Sequence, residues 1–296
     1  MKKIGILIVV YNSKNKILKW LENYKRKFSR DLSLYLLVLD NNSTDGTFEA
    51  VRKDHPDIDI RKLKDNYGCT TARNVGIIEL VENIGCEIYA SFDDDVIIED
   101  EEFFIKIRKA LDEHPEIDGY CGVLRWADDK SICSMGSRKV LPGLYKTVKK
   151  ISDNRKVDYV PGGACIIRAS TFIKYGLYDN DFPPIGVEDK EWGIRVSQQG
   201  ANLHYYPQIE LFHYHDRKQH DSMQKRGFVI QAVTIELRKY FSIPMLLMRL
   251  YNFRALIKPY GIKFAIQNIR KSMVKKLNPR NYYYEEFKKD YNKYYA

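Results

Sequence analysis

The run Ile4–Val10, IGILIVV, restricts the fold more than any other stretch of the chain. Seven residues without a polar side chain, most of them β-branched, read as a strand buried on both faces; a half-exposed strand would alternate apolar and polar residues. A strand of that kind belongs inside a parallel sheet covered by helices. The following sequence agrees. Ile17, Leu18, Leu21 and Tyr24 fall at helical spacing in 17–28, and 34–39 is a second apolar strand. A short helix at 47–52, a strand at 58–63, a helix at 71–83 and a strand at 87–92 continue the alternation, which predicts an α/β fold with a mostly parallel central sheet.

Polar sequence stands where such a sheet binds ligands, at the carboxyl ends of its strands. Tyr11-Asn12 follows the first strand, Asp40-Asn41-Asn42 the second and Asp93-Asp94-Asp95 the fourth. Farther on, a helix is expected at 101–111 and less regular sequence at 118–158. Pro161-Gly162-Gly163 leads into a strand at 164–167, and a short helix covers 170–175. Glu188-Asp189 opens a helix at 186–199 that Gly200 stops. Strands at 201–206 and 210–215 complete an expected catalytic domain, 1–226. A basic, tyrosine-rich helical extension, 227–296, is broken at Pro244 and Pro259 and ends in NYYYEEFKKDYNKYY.

Charge is unevenly spread. Residues 241–296 hold 12 Lys and Arg against 3 Asp and Glu, whereas the rest hold 37 against 36. The catalytic body is therefore not a polyanion binder, and no nucleic acid is expected as partner. Five scattered cysteines without CxxC spacing read as reduced thiols of a cytoplasmic protein. The apolar start ends in Tyr11-Asn12 without a small-residue cleavage site, so it reads as a strand and not as a leader. No charge-free stretch is long enough to span a bilayer.

The motifs carry the chemistry. On an extended backbone residues i and i+2 share a side, so Asp93 and Asp95 are expected to converge on one centre. Oxygen ligands of this type suit Mn²⁺ or Mg²⁺ held together with substrate phosphates; the plainer reading is a solvated acidic loop. Asp40, directly after a buried strand, is placed to read a base or ribose hydroxyl, although 40–46 is equally turn and cap chemistry. Arg73, in the first turn after the Asp65–Gly68 loop, could approach a phosphate or base. Glu188-Asp189 suits a helix N-terminus and would also serve as a general base. His213 and His215 share a face, and one could supply a neutral nitrogen to a metal.

Taken in order, strand–YN, DNNSTDGT, DNYG–ARN, FDDDV, PGG, VED and a late histidine resemble the inverting glycosyltransferases of family two, which have the GT-A fold. The resemblance runs from Lys2 to His215. It implies that Val9, Tyr11, Asn12, Asp40, Asn42, Arg73, Asp93 and Asp94 contact the donor nucleotide. It also implies Asp95 as direct metal ligand, with Asp93 in the metal shell and His213, or secondly His215, as the late ligand. Asp189, beside Glu188, corresponds to the catalytic base, and Gly162, Gly163 and Trp192 to the acceptor side. The cofactor implied is Mn²⁺ or Mg²⁺, the donor a nucleotide-diphosphate sugar, and the acceptor a glycan, lipid-linked saccharide or protein hydroxyl in bacterial surface glycan or glycoprotein synthesis. The segment after Gly227 fits no family pattern. Its basic and apolar residues, including Met245, Leu246, Leu247, Leu250, Phe253, Leu256 and Ile257, suit either a helical extension packed on the domain or attachment to the inner face of the cell membrane. Competing readings are a sugar-phosphate nucleotidyltransferase, against which the absence of a glycine-rich basic loop after the first strand counts, and a non-enzymatic membrane- or nucleic-acid-binding protein.

Overall fold

The computed structural model describes residues 2–141, 144–153, 155–183, 188–214, 223–239, 246, 260–278 and 282–296. The first half alternates as expected: β1 (Ile4–Val10), α1 (Lys14–Phe28), β2 (Leu34–Asp40), α2 (Thr47–Asp54), β3 (Asp59–Lys62), α3 (Gly68–Ile78) and β4 (Ile88–Phe92). The helix expected to run on to Asn83 changes at Glu79 to a π-turn, Glu79–Asn83. β1 lies between β2 and β4, parallel to both, and its residues are nearly all buried, as a two-sided apolar run requires.

The second half adds β5 (Val96–Ile97), α4 (Phe103–Glu113), β6 (Gly119–Trp126), β7 (Ile132–Ser134), the hairpin β8 (Ser137–Leu141) and β9 (Leu144–Thr147), and β10 (Lys156–Val157). β11 (Ala164–Arg168), α5 (Ala169–Tyr175), α6 (Glu188–Gln198) and β12 (Leu203–His213) follow. The main sheet runs β10-β12-β6-β11-β4-β1-β2-β3, with β5 on β12 and β7 on β6. Its long strands share one direction except β11, which is antiparallel to both β4 and β6. This is the α/β architecture that the resemblance implies. The two strands expected at 201–206 and 210–215 are one strand, β12, interrupted by a register shift between Tyr205 and Glu210.

The stretch expected to be irregular contains β6, a central strand. Its glycines weaken a strand pattern, yet the packing demands them. A Cβ at Gly119 would meet Ile167 Cδ1 at 2.4 Å, and one at Gly122 would meet the Ile209 carbonyl oxygen at 2.9 Å.

Beyond β12 lie α7 (Met223–Lys239), α8 (Gly261–Met273), α9 (Tyr284–Lys288) and a 3₁₀ turn, Tyr291–Tyr294. The domain boundary expected at 226/227 falls inside α7. The apolar group from Met245 to Ile257 lies, Leu246 apart, outside the described residues. The tyrosine-rich end packs on the sheet: Tyr284 and Tyr291 are buried in the same apolar cluster as Leu7, Leu37 and Leu63. The Lys64 N–H donates to the Tyr294 carbonyl (2.9 Å), and Tyr295 bridges Leu63 at the β3 edge. The phenols serve carboxylates of the π-turn: Tyr291 donates to the buried Glu79 (3.2 Å) and Tyr284 to Glu82 (2.8 Å), while Arg61 pairs with Glu79 at 2.5 Å. Truncation after residue 281 should lower unfolding stability by about 3 kcal/mol or more, since two buried tyrosine rings are lost. An unchanged urea midpoint would refute this role for the tail.

Candidate active site

The carboxyl edge of the sheet gathers the polar segments. β1 and β2 end in register, Val10 opposite Asp40, and the Asn41 N–H donates to the Val10 carbonyl (2.8 Å). Asn12, with φ 50°, accepts from the Thr44 N–H through Oδ1 (2.8 Å), and its own N–H donates to Ser43 Oγ (2.9 Å). Asn42 is half-buried at φ 65°, Tyr11 is exposed and Val9 half-buried, all on this edge. Asp40 departs from expectation. Its side chain is fully buried and accepts from the Ser43 hydroxyl and N–H, with Lys62 Nζ at 3.9 Å, so in this structure it holds the loop together. Burial pushes its carboxyl up, partly offset by the Ser43 bonds.

The acidic triplet also differs from expectation. It is not extended: the Val96 N–H donates to the Asp93 carbonyl (2.9 Å), closing a turn over Asp94-Asp95. Strand alternation therefore does not apply: Asp93 meets one cation, while Asp94 and Asp95 share another. Asp93 pairs with Arg73 Nη2 at 2.9 Å. Asp95 pairs with Lys16 Nζ at 3.0 Å and with His213 Nε2 at 3.3 Å, and Asp94 lies 4.0 Å from Lys16 Nζ. Burial pushes Asp94 up to about 6. Burial acts on Asp95 too, but the hydrogen bonds from His213 and Lys16 override it and hold this carboxyl well below the usual range. Burial opposes charge on His213, yet the bond to Asp95, with a second to Cys133, lifts the ring to about 9.

Sheet pairing explains why His213 meets Asp95. β12 pairs antiparallel with β5 and sets His213 opposite Val96, and the Tyr214 N–H donates to the Asp95 carbonyl (2.8 Å). Trp126 stacks on the His213 ring with centroids 5.3 Å apart. His215 lies outside the described residues. Among the described residues no group of three or more His, Cys, Asp or Glu side chains could hold a metal ion. One carboxylate and one imidazole in contact nevertheless fit a Mn²⁺ or Mg²⁺ site whose remaining positions belong to phosphate oxygens and water.

Arg73 joins this half of the site to the other. Its Nη1 pairs with Glu188 at 2.6 Å while Nη2 holds Asp93, and the guanidinium is 6% exposed. Expected at the nucleotide, Arg73 instead bridges α3, the end of β4 and α6. Asp189 accepts from the Gly162 N–H (2.8 Å) and from the N–H of Lys190 (2.7 Å). Burial, and secondly the Glu188 charge, push Asp189 up to about 6 against these bonds. Gly162 and Gly163 are small because the site fills the space beside them. A Cβ on Gly163 would stand 2.1 Å from Asp93 Cγ, and one on Gly162 would stand 2.8 Å from Arg73 Nη1 and 3.0 Å from Asp189 Cβ.

Trp192 is a correction. It is 1% exposed, donates through Nε1 to the Gly176 carbonyl (2.9 Å) and packs on Phe172 and Tyr178, so it belongs to the core and offers no face to an acceptor. Residues that the sequence reading missed are Lys16, Trp126 and Asn41. Asn41 ties the β2 end to the next loop through Asn66 Oδ1 (2.9 Å) and the Tyr67 N–H (3.1 Å). Only the helical offset of Lys16 from the β1 end hinted at its role.

The sequence profile of a family described as glycosyl transferase family 2 matches residues 5–176, more than half of the chain. No curated protein matches significantly in sequence. Among solved structures, the chain is similar to the mannosyltransferase PcManGT from Pyrobaculum calidifontis in complex with GDP-Man and Mn²⁺, at 16% identity and TM-score 0.58, covering 98% of this chain and 84% of that one. It is also similar to S. aureus TarS 1-349 in complex with UDP-GlcNAc, at 16% identity and TM-score 0.61, covering 92% and 80%.

Replacing Arg73 by Met should leave Glu188 buried without its cation and lower unfolding stability by about 3–5 kcal/mol. Arg73→Lys should recover only part of this, because one ammonium cannot reproduce the two-pronged contact. Equal urea midpoints for Arg73→Met and wild type would show that the bridge contributes nothing.

Proposed function

The chain belongs to glycosyl transferase family 2, and from that premise we propose that it is a metal-dependent, inverting enzyme moving a sugar from a nucleoside-diphosphate sugar to an acceptor hydroxyl. The observation that carries the reading is the Arg73 bridge. It sets a half-buried carboxylate with a raised pKa, Asp189, beside the carboxylate turn that ends in Asp95 and His213. A UDP-sugar is the first donor to test and a GDP-sugar the second, each being bound by one of the similar structures. The acceptor class is a hydroxyl of a glycan, lipid-linked saccharide or protein, in bacterial surface glycan or glycoprotein synthesis.

Asp95 and His213 would hold Mn²⁺ or Mg²⁺, which when bound neutralises charge growing on the departing diphosphate. The chain's own residues do the rest. The edge formed by Val9, Tyr11, Asn12 and Asn42 receives the nucleoside. The Gly162 and Lys190 N–H groups orient the Asp189 carboxylate. Ionised Asp189 takes the acceptor proton as the hydroxyl oxygen attacks the anomeric carbon; the carbon–oxygen bond to the diphosphate breaks, and the configuration inverts in one displacement.

Asp189→Asn and Asp95→Asn should each abolish transfer, but only Asp95→Asn should also weaken metal-dependent nucleotide binding in calorimetry. Because Asp189 accepts a proton only when ionised, kcat should fall as pH drops through about 6. The product should be a nucleoside diphosphate; pyrophosphate release would indicate a nucleotidyltransferase. Unchanged turnover in Asp189→Asn would remove the base assignment.

One observation favours a peripheral membrane location as well. α8 turns Ile262, Ile266 and Met273, 63%, 42% and 55% exposed, outward on one stripe, beside exposed Lys263 and Arg270, while its small face of Ala265, Asn268 and Ser272 is buried. No described helix is long and apolar enough to cross a membrane. An apolar stripe edged with cations fits an anionic leaflet. Vesicles rich in phosphatidylglycerol should sediment the wild type, and Ile262→Glu/Ile266→Glu should abolish this; equal sedimentation of both would disprove it.

A further inference from the structure

Tyr175 to Asp181 is a segment outside the site on which the site's two acidic halves both rest. On one side it seats α6, the helix that begins with Glu188-Asp189. Trp192 Nε1 donates to the Gly176 carbonyl (2.9 Å), and Arg195 donates to the carbonyls of Tyr175 (3.0 Å) and Leu177 (2.7 Å). On another side it seats α3, the helix carrying Arg73. Asn74 exchanges two hydrogen bonds with the Tyr178 backbone, at 2.9 and 3.0 Å, and Thr71 Oγ1 donates to Asn180 Oδ1 (3.2 Å).

The third side faces the C-terminal region. Lys239 at the end of α7 reaches Asp179 at 2.5 Å and Asp181 at 2.6 Å. All three side chains are nearly sealed from solvent, at 8% exposure for the lysine, 0% for Asp179 and 7% for Asp181. Lys275 donates to the Asp181 carbonyl (2.6 Å), the Asn278 N–H to Asp181 Oδ2 (2.8 Å), and the Leu177 N–H to the Tyr282 carbonyl (2.7 Å). The Tyr282 ring also lies under the Arg195 guanidinium, 4.1 Å from its centroid.

Two buried carboxylates two residues apart repel, and the enclosed Lys239 ammonium contacts both, with the Lys275 ammonium nearby and the Asp181 and Asn278 N–H groups donating to them. Docked α7 therefore favours this shape of the segment. Because Asn74 neighbours Arg73 in sequence and Arg195 lies two turns along from Asp189, a shift of the segment moves the Arg73–Glu188 contact and the Asp189 carboxylate together. We propose that the C-terminal region is a positioning element of the active site and that Lys239 is the positioning residue through which it acts, resting on the reading of Asp189 as the base.

The test compares Lys239→Met and Lys239→Arg in the full chain. Lys239→Met should bind UDP or GDP with Mn²⁺ within about twofold of wild type, while kcat for sugar-nucleotide turnover falls about 10–100-fold at unchanged donor KM. Amide exchange across Glu188–Gln198 should rise about tenfold with that of Ile4–Val10 unchanged, and Lys239→Arg should restore most of both readouts. Should Lys239→Met fail to fold, Asp179→Asn/Asp181→Asn/Lys239→Met removes all three charges and carries the same expectation. The proposal is overturned if turnover and α6 exchange stay at wild-type values, if nucleotide binding falls in step with turnover, or if neither variant folds, which would make Lys239 a matter of stability alone. The exchange readout needs no sugar transfer, so an inert wild-type chain would count against the enzymatic reading and leave this one testable.

Discussion

The arrangement depends on one guanidinium. Arg73 stands between Glu188 and Asp93, two carboxylates from distant parts of the chain; it is almost wholly enclosed with Glu188, while Asp93 is half exposed. The enclosed Arg73–Glu188 pair is tolerable only at close, directed range, and the second prong on Asp93 ties the β4 end to it, so α3, the β4 end and the start of α6 are linked. Arginine suits the position because its planar fork reaches two acceptors in different directions while remaining ionised. The glycines opposite follow from it: with Arg73, Asp93 and Asp189 drawn together, no volume remains for a Cβ at 162 or 163.

Like charges brought together elsewhere are handled in the same way. The acidic turn distributes its carboxylates over Arg73, Lys16 and His213, so its two central residues acquire different acidities: Asp94 is raised by burial while Asp95 is held ionised. The partners come from α1, α3 and β12, so the turn also registers the relative placement of three elements. Away from the site, Glu79 draws Arg61 and the tail tyrosines, and the Asp179–Asp181 pair draws Lys239. In each case the C-terminal region supplies part of the compensation, which ties a compositionally simple tail to the catalytic half of the chain.

Legibility followed burial. β1, β2 and β4 were plain because continuous apolar runs have few other destinations, and the polar residues just past them mark one edge of any parallel sheet. β6 was missed because its two glycines answer to close neighbours on β11 and β12, which no local window contains. Asp40 and Trp192 were given contacts with ligands because their residue types allow such contacts, whereas the folded chain turns both inward. Arg73 was expected near a phosphate or base and meets Asp93 and Glu188, because a positive charge in a first helical turn does not reveal whether phosphate or carboxylate will meet it.

By itself the sequence determined the alternating sheet, the edge on which its polar loops gather, and the order of motifs that places the chain in glycosyl transferase family 2. Those properties follow from local pattern: where apolar residues run, where they stop, and which side chains stand next. Only the tertiary structure decided that FDDDV closes as a turn, that Arg73 serves carboxylates and that Lys239 neutralises the pair beside the α6 seat. The last two are pairings across 20 to 115 positions of the chain, and the energy of a charge depends on the groups that fold around it, not on its neighbours in sequence.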